Sequence, residues 1–318
     1  MQDSLAIKNK SIISIDKVIA EEKKIRKFRF FDFLFRNSIG FFAILFILLL
    51  LGIFLTLLIK SIPSISVFGY KFYTGTTWNP VESEFGSLPF LVGTLITSFL
   101  ALVITIPFSI SISLFLGEYF QKGLLSNILR NAVELLGGIP SVIYGFWGLF
   151  FLVPIMRSFE EKIGVPPLGI GIFTTSFLLF IMIIPYSATI GREVITLVPQ
   201  NVKEGALALG ATKYELIKSV VLPYARSGIF AGILLALGRA LGETMAVTMV
   251  IGNRNALPSS LFGPANTIAS VIANEFTEAV GDVYLSSLIQ IGFLLFVVTA
   301  IISIAGKQLI NRLGKEVA

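Results

Sequence analysis

The sequence contains no cysteine and no histidine in 318 residues. The first absence excludes disulfides, thiolate metal sites and thiol nucleophiles. The second excludes imidazole as general base, proton shuttle or metal ligand. Charge is scarce as well: 14% of the residues are Asp, Glu, Lys or Arg, against about 25% in an ordinary soluble domain. That is too little to cover a surface facing water, and it leaves few groups for acid–base catalysis. Apolar residues take their place, at 55% of the chain with a mean hydropathy of +0.87. Length alone would suggest about two soluble domains. The composition argues instead for one membrane-embedded unit that is not an enzyme, with no cofactor and no metal.

Apolar runs long enough to cross about 30 Å of hydrocarbon fall at 39–59, 90–117, 132–156, 168–191, 227–252 and 283–306. If the N-terminus is cytosolic, the inner segments are 1–38, 118–131, 192–226 and 307–318, and they hold nineteen of the 25 Lys and Arg residues. The outer segments 60–89, 157–167 and 253–282 hold only Lys60, Lys71, Arg157, Lys162 and Arg254, and Arg239 lies inside a span. This is the asymmetry of the positive-inside rule, so the net charge of +6 reads as a topology signal and no nucleic-acid partner is expected. The fold class is an all-α membrane protein with six transmembrane helices and both termini cytoplasmic. Its parts are a basic segment 1–38, a first transmembrane helix 39–59, an extracytoplasmic loop 60–89, a five-helix core 90–307 and a tail 308–318.

The first apolar run begins too late and is too long for a signal-peptide h-region, so 1–38 is not expected to be one. Its stretch Lys23-Lys24-Ile25-Arg26-Lys27-Phe28-Arg29-Phe30-Phe31 suits an interfacial helix on anionic lipid; the alternative is a basic tail that only sets orientation. Segment 60–89 is rich in turn-formers and aromatics, and 253–282 carries Glu275, Glu278 and Asp282. Either could dock a soluble partner or simply fold over the protein. Within the spans, Pro107, Gly137-Gly138-Ile139-Pro140-Ser141 and Pro185 mark kinks and close packing. A sharper reading has Ser141 and Tyr144 lining a polar path between helices.

The longest inner loop, 192–226, reads as two short helices around a glycine turn. Ala206, Leu207 and Leu209 supply apolar surface, Gly210 permits a left-handed turn, and Lys213, Glu215 and Lys218 face water. Pro223 would end the second helix and start the next segment. Such a hairpin could plug a groove on a cytosolic partner.

The pattern Glu204-x-Ala206-x3-Gly210-x9-Val220-x-Leu222-Pro223 resembles the EAA loop of ABC importer permeases, which docks their ATPase. Gly205 stands where the family has Ala, and Val220 where it has Ile. The fifth run, Leu237-Gly238-Arg239-Ala240-Leu241-Gly242-Glu243-Thr244-Met245-Ala246-Val247, is similar to the phosphate-specific permeases. It is closer to their C-type subunit than to the A-type, in which Ala-Pro usually follows Gly-Glu-Thr. The stretch from Leu135 to Gly145 and Phe85-Gly86-Ser87-Leu88-Pro89 fit the same subunit. The likeness covers about residues 65–307. It implies a type I importer permease fold and a heterodimer with an A-type permease. It also implies a dimeric cytosolic ATPase and an extracytoplasmic phosphate-binding protein, with a signalling regulator as a further partner. It carries the ATPase-coupling role onto Glu204, Gly205, Ala206, Gly210, Leu222 and Pro223.

The chain itself offers no ATP site. A Walker A loop needs Gly-Lys followed by Ser or Thr, whereas Gly306-Lys307 and Gly314-Lys315 are followed by Gln308 and Glu316. ATP would be hydrolysed by another chain. Arg239 and Glu243, with Thr244, are the candidates for the substrate path. A guanidinium can offer a donor fork to a phosphate, and Glu243 could hold that fork or accept a hydrogen bond from protonated phosphate. The alternative is a structural ion pair. As whole-protein readings, a permease for sulfate or molybdate, an ion-coupled secondary transporter and a sensor subunit stand beside the phosphate importer.

Overall fold

The computed structural model describes the backbone of residues 2–315 and the side chains of 33–314. The candidate interfacial stretch 23–31 therefore lies outside the described side chains. The chain divides into two units, residues 1–56 and 57–318. The first is the body of helix α1 (Gln2–Phe68), on which Phe41, Phe42, Phe46, Ile47 and Leu48 are all exposed. An apolar exterior on every side of a helix is stable in lipid and not in water.

The second unit begins with the end of α1, which stays helical to Phe68, so the expected loop at 60 starts nine residues late. A short α2 (Lys71–Thr74) and an antiparallel hairpin of β1 (Trp78–Asn79) and β2 (Glu84–Phe85) follow. Then come α3 (Leu88–Leu114), continued by a wide π turn over Phe115–Tyr119, and α4 (Leu124–Gly138). Next are α5 (Ser141–Trp147), a second π turn at Gly148–Leu152, α6 (Val153–Lys162) and α7 (Ile172–Thr196). The chain goes on through α8 (Gln200–Ala208), α9 (Lys213–Leu216), a third π turn at Ile217–Val221 and α10 (Leu222–Leu241). It closes with α11 (Met245–Val250), α12 (Ile268–Glu275) and α13 (Asp282–Lys315). Among the described residues six stretches are long and apolar enough to cross a membrane: Phe33–Phe68, Leu88–Tyr119, Ser141–Lys162, Ile172–Thr196, Lys213–Leu241 and Asp282–Gly314.

The core is built on α3, α7 and α10, with Ala101, Leu178, Ile183, Ala236 and Leu241 fully or almost fully buried. Apart from Ser98, whose hydroxyl has no partner, the buried hydroxyls on α3 and α7 bond their own backbone or the neighbouring helix. Thr105 Oγ1 donates to the Ala101 carbonyl at 2.7 Å and Ser176 Oγ to that of Ile172 at 2.8 Å. Others stitch α3 to α7: Ser187 Oγ donates to Ser109 Oγ at 3.0 Å, and Ser113 Oγ to the Ala188 carbonyl at 3.0 Å. Small hydroxyl residues at a seam let two helices approach closely in a membrane.

The third crossing starts later than expected, at Ser141, and α4 lies outside it. The expected run 132–156 is split at Ile139 and Pro140 into α4 and the piece that starts with α5. Gly137 of α4 lies against Pro185 of α7, and Gly148 lies against Leu178 further along the same helix, so the two pieces follow α7 in sequence. Pro140 has no N–H for the carbonyl four residues back, and Tyr144 supplies the missing donor: its hydroxyl donates to the Leu136 carbonyl at 2.8 Å. Around it lies an apolar cavity of about 300 Å³ lined by Leu136, Ile139, Ile143, Trp147 and Ile181. This arrangement favours kinking and packing over a polar path at Tyr144. Tyr144→Phe should leave the carbonyl without a partner and cost about 1–3 kcal/mol, read as a lower unfolding temperature in detergent. Unchanged stability would mean that another donor reaches Leu136.

The segment that precedes α3 folds onto its own protein. Trp78 and Phe85 face each other across the hairpin with ring centroids 4.8 Å apart, over Phe72, Phe90, Ile268 and Leu288. Glu275, expected on a docking surface, instead accepts hydrogen bonds from Trp78 Nε1 and Tyr284 Oη, both at 2.7 Å, and from Asn255 Nδ2 at 2.8 Å.

Candidate functional site

Two features gather the residues singled out by the sequence: the helical hairpin at 200–221 and the break after α10.

The hairpin turn is closed on both sides. At the end of α8 the Gly210 N–H donates to the Leu207 carbonyl at 3.0 Å and the Ala211 N–H to that of Ala206 at 3.1 Å. Gly210 has φ +89°, the left-handed cap that glycine adopts without strain. At the start of α9 the Glu215 N–H donates to Thr212 Oγ1, and the Thr212 N–H to Glu215 Oε2. This capping box was readable as Thr-x-x-Glu and had no part in the sequence reading.

The second arm is not a separate short helix. It runs without interruption from Lys213 to Leu241, which corrects the expectation that Pro223 ends it. Pro223 sits in the first turn of α10 directly after the π turn at Ile217–Val221. The local widening accommodates a ring that would otherwise strike the carbonyl four residues back.

Of the expected coupling residues, Glu204, Gly205 and Gly210 are exposed and Ala206 is half-buried. Glu204 accepts a hydrogen bond from Gln200 Nε2 at 3.2 Å. A Cβ built on Gly205 meets nothing within 4 Å, so the alanine of the EAA pattern would fit there. Leu222 and Pro223 lie apart from the tip, and Leu222 packs with Ala206 against Ile195, Val198, Leu216 and Val221. The tip shows bare apolar surface: Leu209 is 91% exposed, and Leu207 and Tyr214 are exposed beside it. Lys213 is exposed, as expected, and its Nζ stands 4.6 Å from the centre of the exposed Tyr119 ring. One residue was missed altogether. Lys203 is buried on the inner face of α8, with Nζ 2.5 Å from Glu118 Oε2.

The second feature corrects the expected span 227–252. The helix ends at Leu241, and Gly242, Glu243 and Thr244 separate it from α11. Arg239 lies in the last turn of α10 with Nη1 2.6 Å from Glu243 Oε2; the side chains are 36% and 2% exposed. The pair therefore spans a helix end and does not run along one helical face. Glu243 Oε1 also accepts the Ala246 N–H at 3.2 Å, which caps α11. The guanidinium sits at a helix C-terminus and the carboxylate at a helix N-terminus, where each complements the backbone dipole. With both oxygens engaged and almost no exposure, Glu243 suits holding the fork better than meeting a substrate. Thr244 is half-buried, with Oγ1 3.4 Å from the Gly242 carbonyl. Arg239 also lines a cleft of about 480 Å³ with Tyr186, Leu234, Leu235, Gly238 and Ser303. It is the one charged residue on that wall among the described residues, and its remaining N–H groups could serve an oxyanion.

Comparison with known proteins matches residues 109–315 to the family described as binding-protein-dependent transport system inner membrane component. The phosphate transport system permease protein PstC of Mesorhizobium japonicum is 43% identical over 309 residues, covering 92% of this chain and 94% of that protein. That of Pasteurella multocida is 45% identical over 300 residues, covering 90% and 93%. The probable PstC of Methanocaldococcus jannaschii is 35% identical over 319 residues, covering 95% and 99%. Among solved structures, the inward-facing MetNI methionine ABC transporter gives a TM-score of 0.53 at 18% identity over 70% of this chain and 91% of that one. A bacterial alginate ABC transporter solved with its pentasaccharide-bound periplasmic protein gives 0.55 at 19% identity over 82% and 94%. These two speak for the fold alone, and the sequence relatives for the family: the chain belongs to the inner membrane components of binding-protein-dependent transport systems.

Proposed function

We propose that the chain is the permease subunit of an ATP-driven phosphate importer, forming part of the translocation path and coupling it to a separate ATPase. The observation that carries this reading is the hairpin tip. Leu207 and Leu209 just before the capped turn and Tyr214 just after it are exposed, as expected of a surface that another protein covers. The positive-inside bias supports a cytosolic side for that tip and both termini, where a dimeric ATPase would receive it. An A-type permease completes the membrane path, and an extracytoplasmic phosphate-binding protein delivers substrate to the opposite face. The PstC relatives support phosphate as the cargo.

In this mechanism the chain performs no covalent chemistry. Docking of the binding protein and closure of the ATPase move the hairpin, and the spans attached to it open the path toward the cytosol. Arg239 offers planar N–H donors to phosphate oxygens, and a fork held on one side by Glu243 loses little freedom on binding. Glu243 acts as a positioning residue, and Thr244 keeps the chain unwound beside it.

Reconstitution with the partner permease, the ATPase and the binding protein tests this. ATP-dependent uptake of phosphate should exceed that of sulfate and molybdate by at least tenfold. Phosphate uptake that proceeds without ATP, or a preference for sulfate, would overturn the reading.

A further inference from the structure

We infer that the hairpin drives the second span through a two-point grip, Lys203 on Glu118 and Lys213 over Tyr119, which makes Lys203 and Glu118 positioning residues for coupling. The inference rests on the reading of the hairpin as an ATPase dock.

Lys203 and Glu118 are 5% and 8% exposed and 2.5 Å apart. A buried ion pair is a poor source of stability, since apolar residues of the same volume serve as well or better. What it adds is direction: a charge pair resists a shift in register that an apolar contact tolerates. The second point lies on the other arm of the hairpin, where Lys213 Nζ stands 4.6 Å from the centre of the Tyr119 ring. One contact would let the hairpin pivot. Two contacts, one on α8 and one on α9, bind both arms to consecutive residues of the same π turn.

That π turn continues α3 without a gap. It is also packed closely on α7, where a Cβ on Gly117 would lie only 2.9 Å from Ile195 Cγ2. Displacement of the hairpin is thus passed along the axis of α3. Near the other end of that helix, Thr94 Oγ1 accepts the backbone N–H of Ile268 at 3.0 Å, so movement of α3 is felt at the start of α12. The apolar cluster at the hairpin joins α7 and α10 and takes in Ile110 and Leu114 of α3 at its edge; the charged grip adds a directional hold on the end of α3.

The test uses the reconstituted complex with its ATPase, partner permease and binding protein. Lys203→Met and Glu118→Gln should each still co-purify with the ATPase and hydrolyse ATP, while phosphate moved per ATP falls at least tenfold. Lys203→Arg should keep most of the ratio, and the charge-reversed double variant Glu118→Lys, Lys203→Glu should recover at least half of it. A pair that only stabilises the fold would lower the yield of complex and leave the ratio unchanged, and that result overturns the inference. Should a single variant fail to assemble, cross-linking decides. The chain has no native cysteine, so Glu118→Cys, Lys203→Cys can be joined by a short bifunctional thiol reagent. The unlinked double variant should show the tenfold loss, and linkage should restore at least half of the phosphate moved per ATP; a linked complex that stays as poor as the unlinked one, or is arrested further, refutes the grip. If the wild-type complex moves a solute other than phosphate, the same ratio is read for that solute, so failure of the cargo assignment is seen separately.

Discussion

The double variant Arg239→Gln, Glu243→Gln is expected to assemble and to lose phosphate uptake about a hundredfold, the loss that follows when roughly 3 kcal/mol of hydrogen bonding from a charged donor is removed. Arg239→Gln alone should behave worse. It leaves the Glu243 carboxylate, 2% exposed, without its counter-ion, and stranding one member of a buried pair costs about 3–5 kcal/mol. Glu243→Gln alone retains a carbonyl oxygen for the Ala246 N–H and so keeps α11 capped, but it releases the guanidinium fork. Assembly should therefore be weakest in Arg239→Gln and restored in the double variant, while uptake is lost in all three. If the pair serves only to hold the helix break together, the double variant has no unpaired charge and should transport phosphate at the wild-type rate. That result would end the substrate-path reading. Uptake in vesicles and yield of the purified complex, measured on the same preparations, separate the two.

In Gly210→Leu the hairpin should fold and dock, yet ATP hydrolysis should no longer be tied to uptake, with phosphate moved per ATP reduced about tenfold. A leucine at φ +89° carries about 1–2 kcal/mol of backbone strain. A Cβ there meets nothing within 4 Å, so the strain has no steric clash added to it and is relieved by opening the turn. An opened turn displaces Leu209, the most exposed residue of the tip, from the position the ATPase would receive. Gly210→Asn should retain most of the coupling because asparagine tolerates the left-handed region. Glu204→Ala should reduce coupling only a few-fold, as expected for an exposed contact. Normal coupling in a well-expressed Gly210→Leu protein would count against the docking role.

The crossings were legible because lipid imposes long apolar runs, and the hairpin turn because Gly210 interrupts a run of helix formers. The two corrections within the fifth span have different causes. Hydropathy continues evenly through Leu241, Met245 and Val250, so it hides a break whose reason is local: Gly242 favours no helix, and the Glu243 carboxylate bonds the Ala246 N–H. Pro223 looked like a stop because the π turn before it leaves no mark in composition. The Lys203–Glu118 pair joins residues 85 positions apart, and only the packing of α8 on the end of α3 brings them together. A cation at 203, on the same face as Ala206, was the one available hint that a charge points inward. The hydroxyl of Tyr144 on the Leu136 carbonyl was open to the same reasoning, since any proline inside a crossing leaves an acceptor that something must satisfy.

The break at Ile139 and Pro140 also bears on how the chain is made. A ribosome delivers the crossings in order, and α4 arrives before the helix it rests on. Arg130 and Val133 of α4 line a small cleft with Ala188, Thr189 and Arg192 of α7, and α7 begins only at Ile172. Alone, α4 offers the insertion machinery 15 residues that include Asn127, Arg130, Asn131 and Glu134, and each centrally placed charge opposes partition by about 2.5–3.5 kcal/mol. These residues keep α4 from being a crossing of its own, and it meets the helix it packs on only once α7 has been made. A nascent chain that ends before residue 172 therefore leaves the polar side chains of α4 without the α7 surface that they face in the finished protein.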